Sequence, residues 1–155
     1  MRAPVGSFED ASPAVDRQDM LTAPVAEAVR TGWGGITPEQ VLHVDTDPEI
    51  ADTAAFVAHH GADLLDRSAN CVVLSGKRGA EVTLAACVVL SHSRVDVNGV
   101  ARKHLGLRKA RFAPMDTAVG ETGMEYGGIT PVGLPAALPG AVVLEGLGVR
   151  APDRP

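Results

Sequence analysis

The sequence predicts an α+β domain built on a mixed β-sheet flanked by helices. Three observations lead there. Helical and strand-like patterns alternate along the chain in the order α-β-α-β-β-α-β-α-loop-β. Two of the strands are consecutive, Cys71–Leu74 and Val82–Leu90, which makes a hairpin inside an otherwise alternating order. The second of these runs is almost continuously apolar, as a central strand buried on both faces would be.

Residues 1–18 mix Pro, Ser, Asp and Gly without periodicity and predict a disordered tail ahead of a domain over 19–149; residues 150–155 form a second tail. Thr22 can cap a short helix over 23–31, with Leu21, Val25, Ala28 and Val29 on one face. Gly32, Gly34 and Gly35 end it. Gly32-Trp33-Gly34-Gly35 superficially resembles a phosphate loop, but no strand precedes it and no Lys-Ser/Thr follows, so it reads as a connector. Val41–Val44 is a short strand. Asp47-Pro48 starts the next helix, with Ile50, Ala54, Val57 and Ala58 as its buried stripe and Gly61 as its stop. The hairpin follows, turning over Ser75–Ala80. Asp96 caps a helix that buries Val97, Val100, Ala101 and Leu105, sends Arg102 and Lys103 outward and closes at Gly106. Lys109–Ala113 is a strand, Pro114–Thr122 a brief helix, Gly123–Pro135 a rigid glycine-proline loop, and Ala141–Leu144 a last strand. No internal repeat is present.

The chain has 155 residues, enough for one domain with its own core. Aromatics make up only 3%, so that core rests on Val, Leu and Ala. No apolar run is long enough to span a membrane, and the first residues lack the layout of a signal peptide. Cys71 and Cys87, two cysteines without export signals, read as small buried hydrophobes. A cytoplasmic location is the expectation.

Net charge is −5, but it is unevenly placed. Residues 1–66 hold 3 Lys/Arg against 12 Asp/Glu; residues 67–155 hold 11 against 7. Arg94, Arg102, Lys103, Arg108, Lys109 and Arg111 concentrate the positive charge with only Asp96 among them. Such density can track a phosphate backbone or form a solvated face. No aromatics interleave with it, so base stacking is not indicated there.

No residue set names a reaction. His43, His59, His60, His92 and His104 stand at no metal-ligand spacing with Cys, Asp or Glu, so no metal and no cofactor is expected. No Gly-x-Ser-x-Gly elbow or P-loop is present. Asp45 and Asp96 could serve as carboxylate bases, though Asp96 is more simply a helix cap. A strand-borne Cys71 is an inert thiol. The loop Gly123–Pro135 alternates residues that let a backbone approach a ligand with residues that fix φ, and so suits a ligand wall.

Four segments in this order, Ser68–Leu74, Asp96–Val100, Lys109–Met115 and Thr122–Pro135, together resemble the YbaK-type aminoacyl-tRNA editing domain, whose members include freestanding deacylases and the editing insertion of bacterial prolyl-tRNA synthetase. The resemblance covers roughly residues 21–135, with a weaker echo to about 149. It implies a curved mixed sheet approaching a barrel, and hydrolysis of the ester between a mischarged amino acid and the tRNA 3′ adenosine, in trans, with tRNA as partner and a synthetase as a possible one. Gly127-Gly128-x-x-Pro131 matches the family's substrate loop, which implies that Gly127, Gly128, Ile129, Pro131 and Gly133 bind substrate; with tRNA as partner, the basic segment 94–111 makes Arg102 and Lys103 candidate tRNA contacts. Two departures accompany it. Asn70 stands where family deacylases carry Lys; an amide donates a hydrogen bond but carries no charge. The segment from Ala136 follows the loop almost directly, so a piece of the family's C-terminal half is missing. The alternatives are therefore a deacylase with a variant pocket, a non-catalytic module that binds tRNA or an aminoacyl ligand, and a degenerate domain with no stable fold.

Overall fold

The computed structural model describes residues 1–135 and Leu138. The α+β class holds. β1 (Ser12–Pro13) pairs antiparallel with β2 (Leu42–His43), and β3 (Ala69–Arg78) pairs antiparallel with both β4 (Glu81–Leu90) and β5 (Lys109–Phe112). Helices α1 (Ala23–Thr31), α2 (Thr53–His60), α3 (Arg102–His104) and α4 (Met115–Thr122) flank these sheets. Among the described residues the larger sheet is open, in the order β4-β3-β5.

That order corrects one expectation. Among the described residues the central strand is β3, not the more continuously apolar Val82–Leu90 run. Ala85, Ala86 and Cys87 are buried on both faces of β4, yet β3 is its one ladder partner among the described residues. Apolar continuity reports burial of both faces, which helices and loops supply here; it does not report position in the ladder.

The hairpin turn is also tighter than expected. Ser75–Arg78 belong to β3, leaving Gly79 and Ala80 as a two-residue turn. Gly79 has φ +62° while Ala80 stays at negative φ, the pattern of a turn with Gly at its first central position. Polar Ser75 and basic Lys77 and Arg78 looked like loop residues, but register carries them into the strand.

Asp47-Pro48 opens only a single 3₁₀ turn, Pro48–Ile50, with the Asp47 carboxylate accepting from the Glu49 N–H at 2.9 Å. Asp52 then caps α2 by accepting from Ala54 and Ala55. Two capping aspartates five residues apart split one expected helix into two. Its expected stripe shifts as well: Ala54 and Ala58 are exposed, while Ala55, Phe56 and Val57 are half-buried. Asp96 caps as expected, taking the Gly99 and Val100 N–H groups, but the helix begins with a π-type turn over Val97–Ala101 before α3. In that turn Val100 points outward and is exposed.

Residues 1–18, where composition predicts a tail, instead contribute β1 and buried Phe8, Ala11 and Ala14. Ser7 anchors them to the end of α2: its N–H and Oγ both donate to the His60 carbonyl, at 2.7 and 2.9 Å. Phe8 stacks against His60 and Phe56 with ring centroids 4.5 and 5.7 Å apart. Sparse apolar residues without periodicity give no local signal, so this docking is readable only in three dimensions. The expected strand Ala141–Leu144 lies outside the described residues.

The core divides by the two faces of β3. Leu74, Ala85, Cys87 and Ala101 form one cluster, joined by Val72, Val95, Val97 and Leu105. Val73, Ala118 and Leu138 form the other, joined by Leu84, Ala113 and Ile129. Strand alternation makes this inevitable: Leu74 and Val73 point to opposite sides. The π-turn and α3 cover the first face; α4 and the glycine-proline loop cover the second.

Candidate active site

The glycine-proline loop starts where α4 ends. Gly123 adopts the left-handed conformation at the helix C-terminus, and its N–H bonds the Val119 carbonyl. Buried Thr122 donates to Ala118 O at 2.7 Å and accepts from Met124 N–H at 3.2 Å. From there four ties hold the loop. Met124 is buried and its Sδ accepts from Thr130 N–H; Gly128 N–H bonds Glu125 O at 3.0 Å; Thr130 Oγ1 accepts from Val132 N–H at 3.3 Å; Ile129 packs on the Val73 cluster.

Gly133 provides the closest approach. It sits at φ +82°, and a Cβ there would run into the Pro24 carbonyl and lie 3.0 Å from Val25 N at the start of α1. Gly127 has nearly the same φ, +80°, but open space around it. The loop is thus pinned at Gly133 and presents Tyr126, Gly127 and Gly128 to solvent. Pro131 is half-buried between these regions.

The same face of the sheet carries a cleft of about 620 Å³, lined by Ser75, Leu84, Arg111, Pro114, Thr117 and Glu121 among others. Ser75 and Arg111 are register partners on β3 and β5. Sequence reasoning missed this cleft. The available signal was the two-residue step from Val73 to Ser75, which puts a polar side chain on a buried face.

Asn70 lies elsewhere on β3. It pairs in register with Val89, is exposed, and donates from Nδ2 to Thr53 Oγ1 on α2 at 3.2 Å. Alternation puts it on the face of Val72 and Leu74, opposite the one on which Ile129 packs. The structure therefore brings Ile129, Gly127, Gly128, Pro131 and Gly133 together but does not set Asn70 across a cleft from them.

Arg102 and Lys103 belong to the layer over the Leu74 face. Arg102 is tied inward: its Nε donates to Asn98 O at 2.7 Å and its Nη1 to Leu107 O at 3.4 Å. Lys103 is exposed.

The thiols are quiet. Burial, with Cys87 nearby, pushes Cys71 up to about 11, and burial does the same to Cys87. Both stay protonated at neutral pH, which withholds the nucleophilic thiolate. No group of three or more His, Cys, Asp or Glu suited to a metal ion occurs among the described residues. No described helix is long and apolar enough to cross a membrane.

Comparison with known families gives a match. The aminoacyl-tRNA editing domain family matches residues 47–144, a span that runs from the first turn before α2 through the hairpin, the π-turn and the glycine-proline loop. Among curated proteins, none matches the chain.

Proposed function

Because this chain belongs to the aminoacyl-tRNA editing domain family, we propose that it hydrolyses, in trans, the ester joining a mischarged amino acid to the 3′ adenosine of its tRNA. The observation that carries the reading is the pinned loop within the matched span. Gly127 and Gly128 are exposed on a backbone that Met124, Ile129 and Gly133 hold still.

In the reaction a water adds to the ester carbonyl, the bond from that carbon to the ribose oxygen breaks, and the oxygen leaves with a proton. The products are a free amino acid and an uncharged tRNA. The charge that develops on the carbonyl oxygen needs a donor already in place. The Gly127 N–H is the candidate, since the Gly128 N–H is engaged by Glu125. Ile129, Pro131 and Gly133 form the wall beside it, and wall volume selects the amino acid within the limits of apolar discrimination.

Asn70 enters this reading through the resemblance alone. With one Nδ2 hydrogen bonded to Thr53, its Oδ1 and its second N–H are the groups able to hold a water. Lys103 is the phosphate contact on its layer, and Arg102, braced by Asn98 and Leu107, shapes the turn that presents it. A cytoplasmic setting accompanies a tRNA substrate.

The test is release of free amino acid from a panel of mischarged tRNAs. Release above the buffer rate for at least one pairing is expected, with Asn70→Ala slower. Unchanged turnover in that variant removes Asn70 from the site. Absence of release for every pairing leaves the second reading, a binding module, which the neutral Asn70 in place of Lys favours. That reading predicts salt-sensitive tRNA binding without turnover.

A further inference from the structure

Strand register assembles a row of cations that the linear sequence scatters. Lys77 on β3 is the direct partner of Lys109 on β5, and Ser75 is the partner of Arg111. Alternation puts Lys77, Lys109 and Arg111 on one face, the face of Val73 and of the glycine-proline loop. Lys109, Arg111 and Ala113 succeed one another along that side of β5 in steps of about 6.5 Å. The row ends at Val73, where Ala113 N–H bonds Val73 O at 2.8 Å, and Ile129 packs on the cluster to which Val73 belongs. Arg111 also lines the cleft.

Lys77, Lys109 and Arg111 are all exposed, and none forms an ion pair among the described residues. Like charges directly opposite on neighbouring strands destabilise a sheet. Lys77 and Lys109 therefore work against the fold unless a polyanion neutralises them. The two acidic residues nearby, Glu81 and Glu121, line the cleft instead. Along this face Lys77 and Lys109 are not among the cleft-lining residues, while Arg111 shares the lining with the two carboxylates. An aminoacylated RNA has the matching order, with phosphates along the strand and an α-ammonium at its tip.

We infer that Lys77, Lys109 and Arg111 hold the phosphates of the single-stranded 3′ end of an RNA and lead its terminal nucleotide to the Gly127–Gly133 loop. This rests on the editing reading for the kind of RNA, but not on turnover. Lys103 lies over the opposite face of the sheet and is a separate contact.

The experiment measures binding of uncharged tRNA to the full chain by fluorescence anisotropy across a salt series. Uncharged tRNA has no ester, so loss of hydrolysis leaves this readout intact. Each phosphate contact on a single strand contributes about 0.7 to the slope of log K against log salt. Lys77→Gln/Lys109→Gln should flatten the slope by about 1.4 and weaken binding about tenfold or more at low salt. Arg111→Gln should remove about 0.7 more. Arg67→Gln, which removes one charge as Arg111→Gln does but just before the other end of β3, should change neither quantity. The arginine pair Lys77→Arg/Lys109→Arg keeps the charges and should bind as the wild type does, which separates lost contacts from a lost fold. An unchanged slope in the glutamine pair, an equal effect of Arg67→Gln, or no binding by the wild type at low salt overturns the inference. Binding through the row without hydrolysis of any mischarged tRNA sustains it and overturns the deacylase reading alone.

Discussion

Gly133 and Gly127 form a natural experiment within one loop. Their φ angles are +82° and +80°, so alanine meets the same backbone penalty at both. That penalty is about 1–2 kcal/mol for an L-residue held in the left-handed region. Their surroundings differ. At Gly127 a Cβ meets nothing within 4 Å; at Gly133 it collides with Pro24 O and comes within 2.8 Å of the Pro24 carbonyl carbon and 3.0 Å of Val25 N. These are backbone atoms at the first turn of α1, so relief requires the loop or the helix to shift. Forced overpacking of that kind adds about 1–3 kcal/mol. Gly127→Ala should therefore lose about 1–2 kcal/mol and Gly133→Ala about 2–5 kcal/mol. Urea unfolding followed by circular dichroism measures both. With a slope of about 1–3 kcal/mol per molar urea, the difference is a visible displacement of the midpoint. Equal midpoints for the two variants would refute the claim that the loop is pinned on α1 at Gly133. If Gly127 supplies the oxyanion donor, Gly127→Ala should also change turnover by more than its small loss of stability explains.

Other outcomes follow from the core and its titratable groups. Leu74→Ala empties a fully buried position on the central strand and should lower unfolding free energy by about 2–5 kcal/mol in the same assay. His60 is held below its ordinary 6.5, first by burial and then by the neighbouring His59, and its Nε2 is buried without a hydrogen-bond partner among the described residues. The folded state thus binds that proton less readily than the unfolded chain. The contribution is fully present above pH 6.5 and is lost as pH falls through the folded value. Melting temperature should drop on acidification below that point, and His60→Gln should shrink the drop. Cys71 and Cys87, both raised to about 11, should resist a thiol reagent at pH 8 in the native protein and react fully once urea unfolds it.

Local chemistry was legible in the sequence where one residue type decides the outcome. Gly32 ends α1, Asp96 takes its N–H groups, Gly123 ends α4, and the hairpin forms between the two apolar runs; Thr22 holds the position before α1, but its side chain makes no capping hydrogen bond. What the sequence hid depends on register and on distant packing. Among the described residues Val82–Leu90 lies beside the central strand, and nothing local marks it so. Ser75 and Lys77 resemble loop residues until β5 pairs with them. The docking of Ser7 and Phe8 on His60 spans more than fifty positions and carries no periodic signal. The candidate site divides in the same way. Its loop was readable from glycine and proline spacing, whereas the placement of Asn70 on the opposite face follows from counting alternation along a strand whose neighbours the sequence does not reveal.

β3 acts as a party wall. Leu74 belongs to the room that holds the π-turn and α3, and Val73 to the room that holds α4 and the loop. A change of volume in one room reaches the other through the sheet, where β3 is pinned on both sides by ladder bonds and β4 beside it likewise carries Ala85 to one room and Leu84 to the other. Side chains that share no contact have nearly independent energetic effects. The loop wall around Ile129 can therefore be changed without disturbing the Arg102 brace, and the surface over Ala101 can be changed without moving the loop.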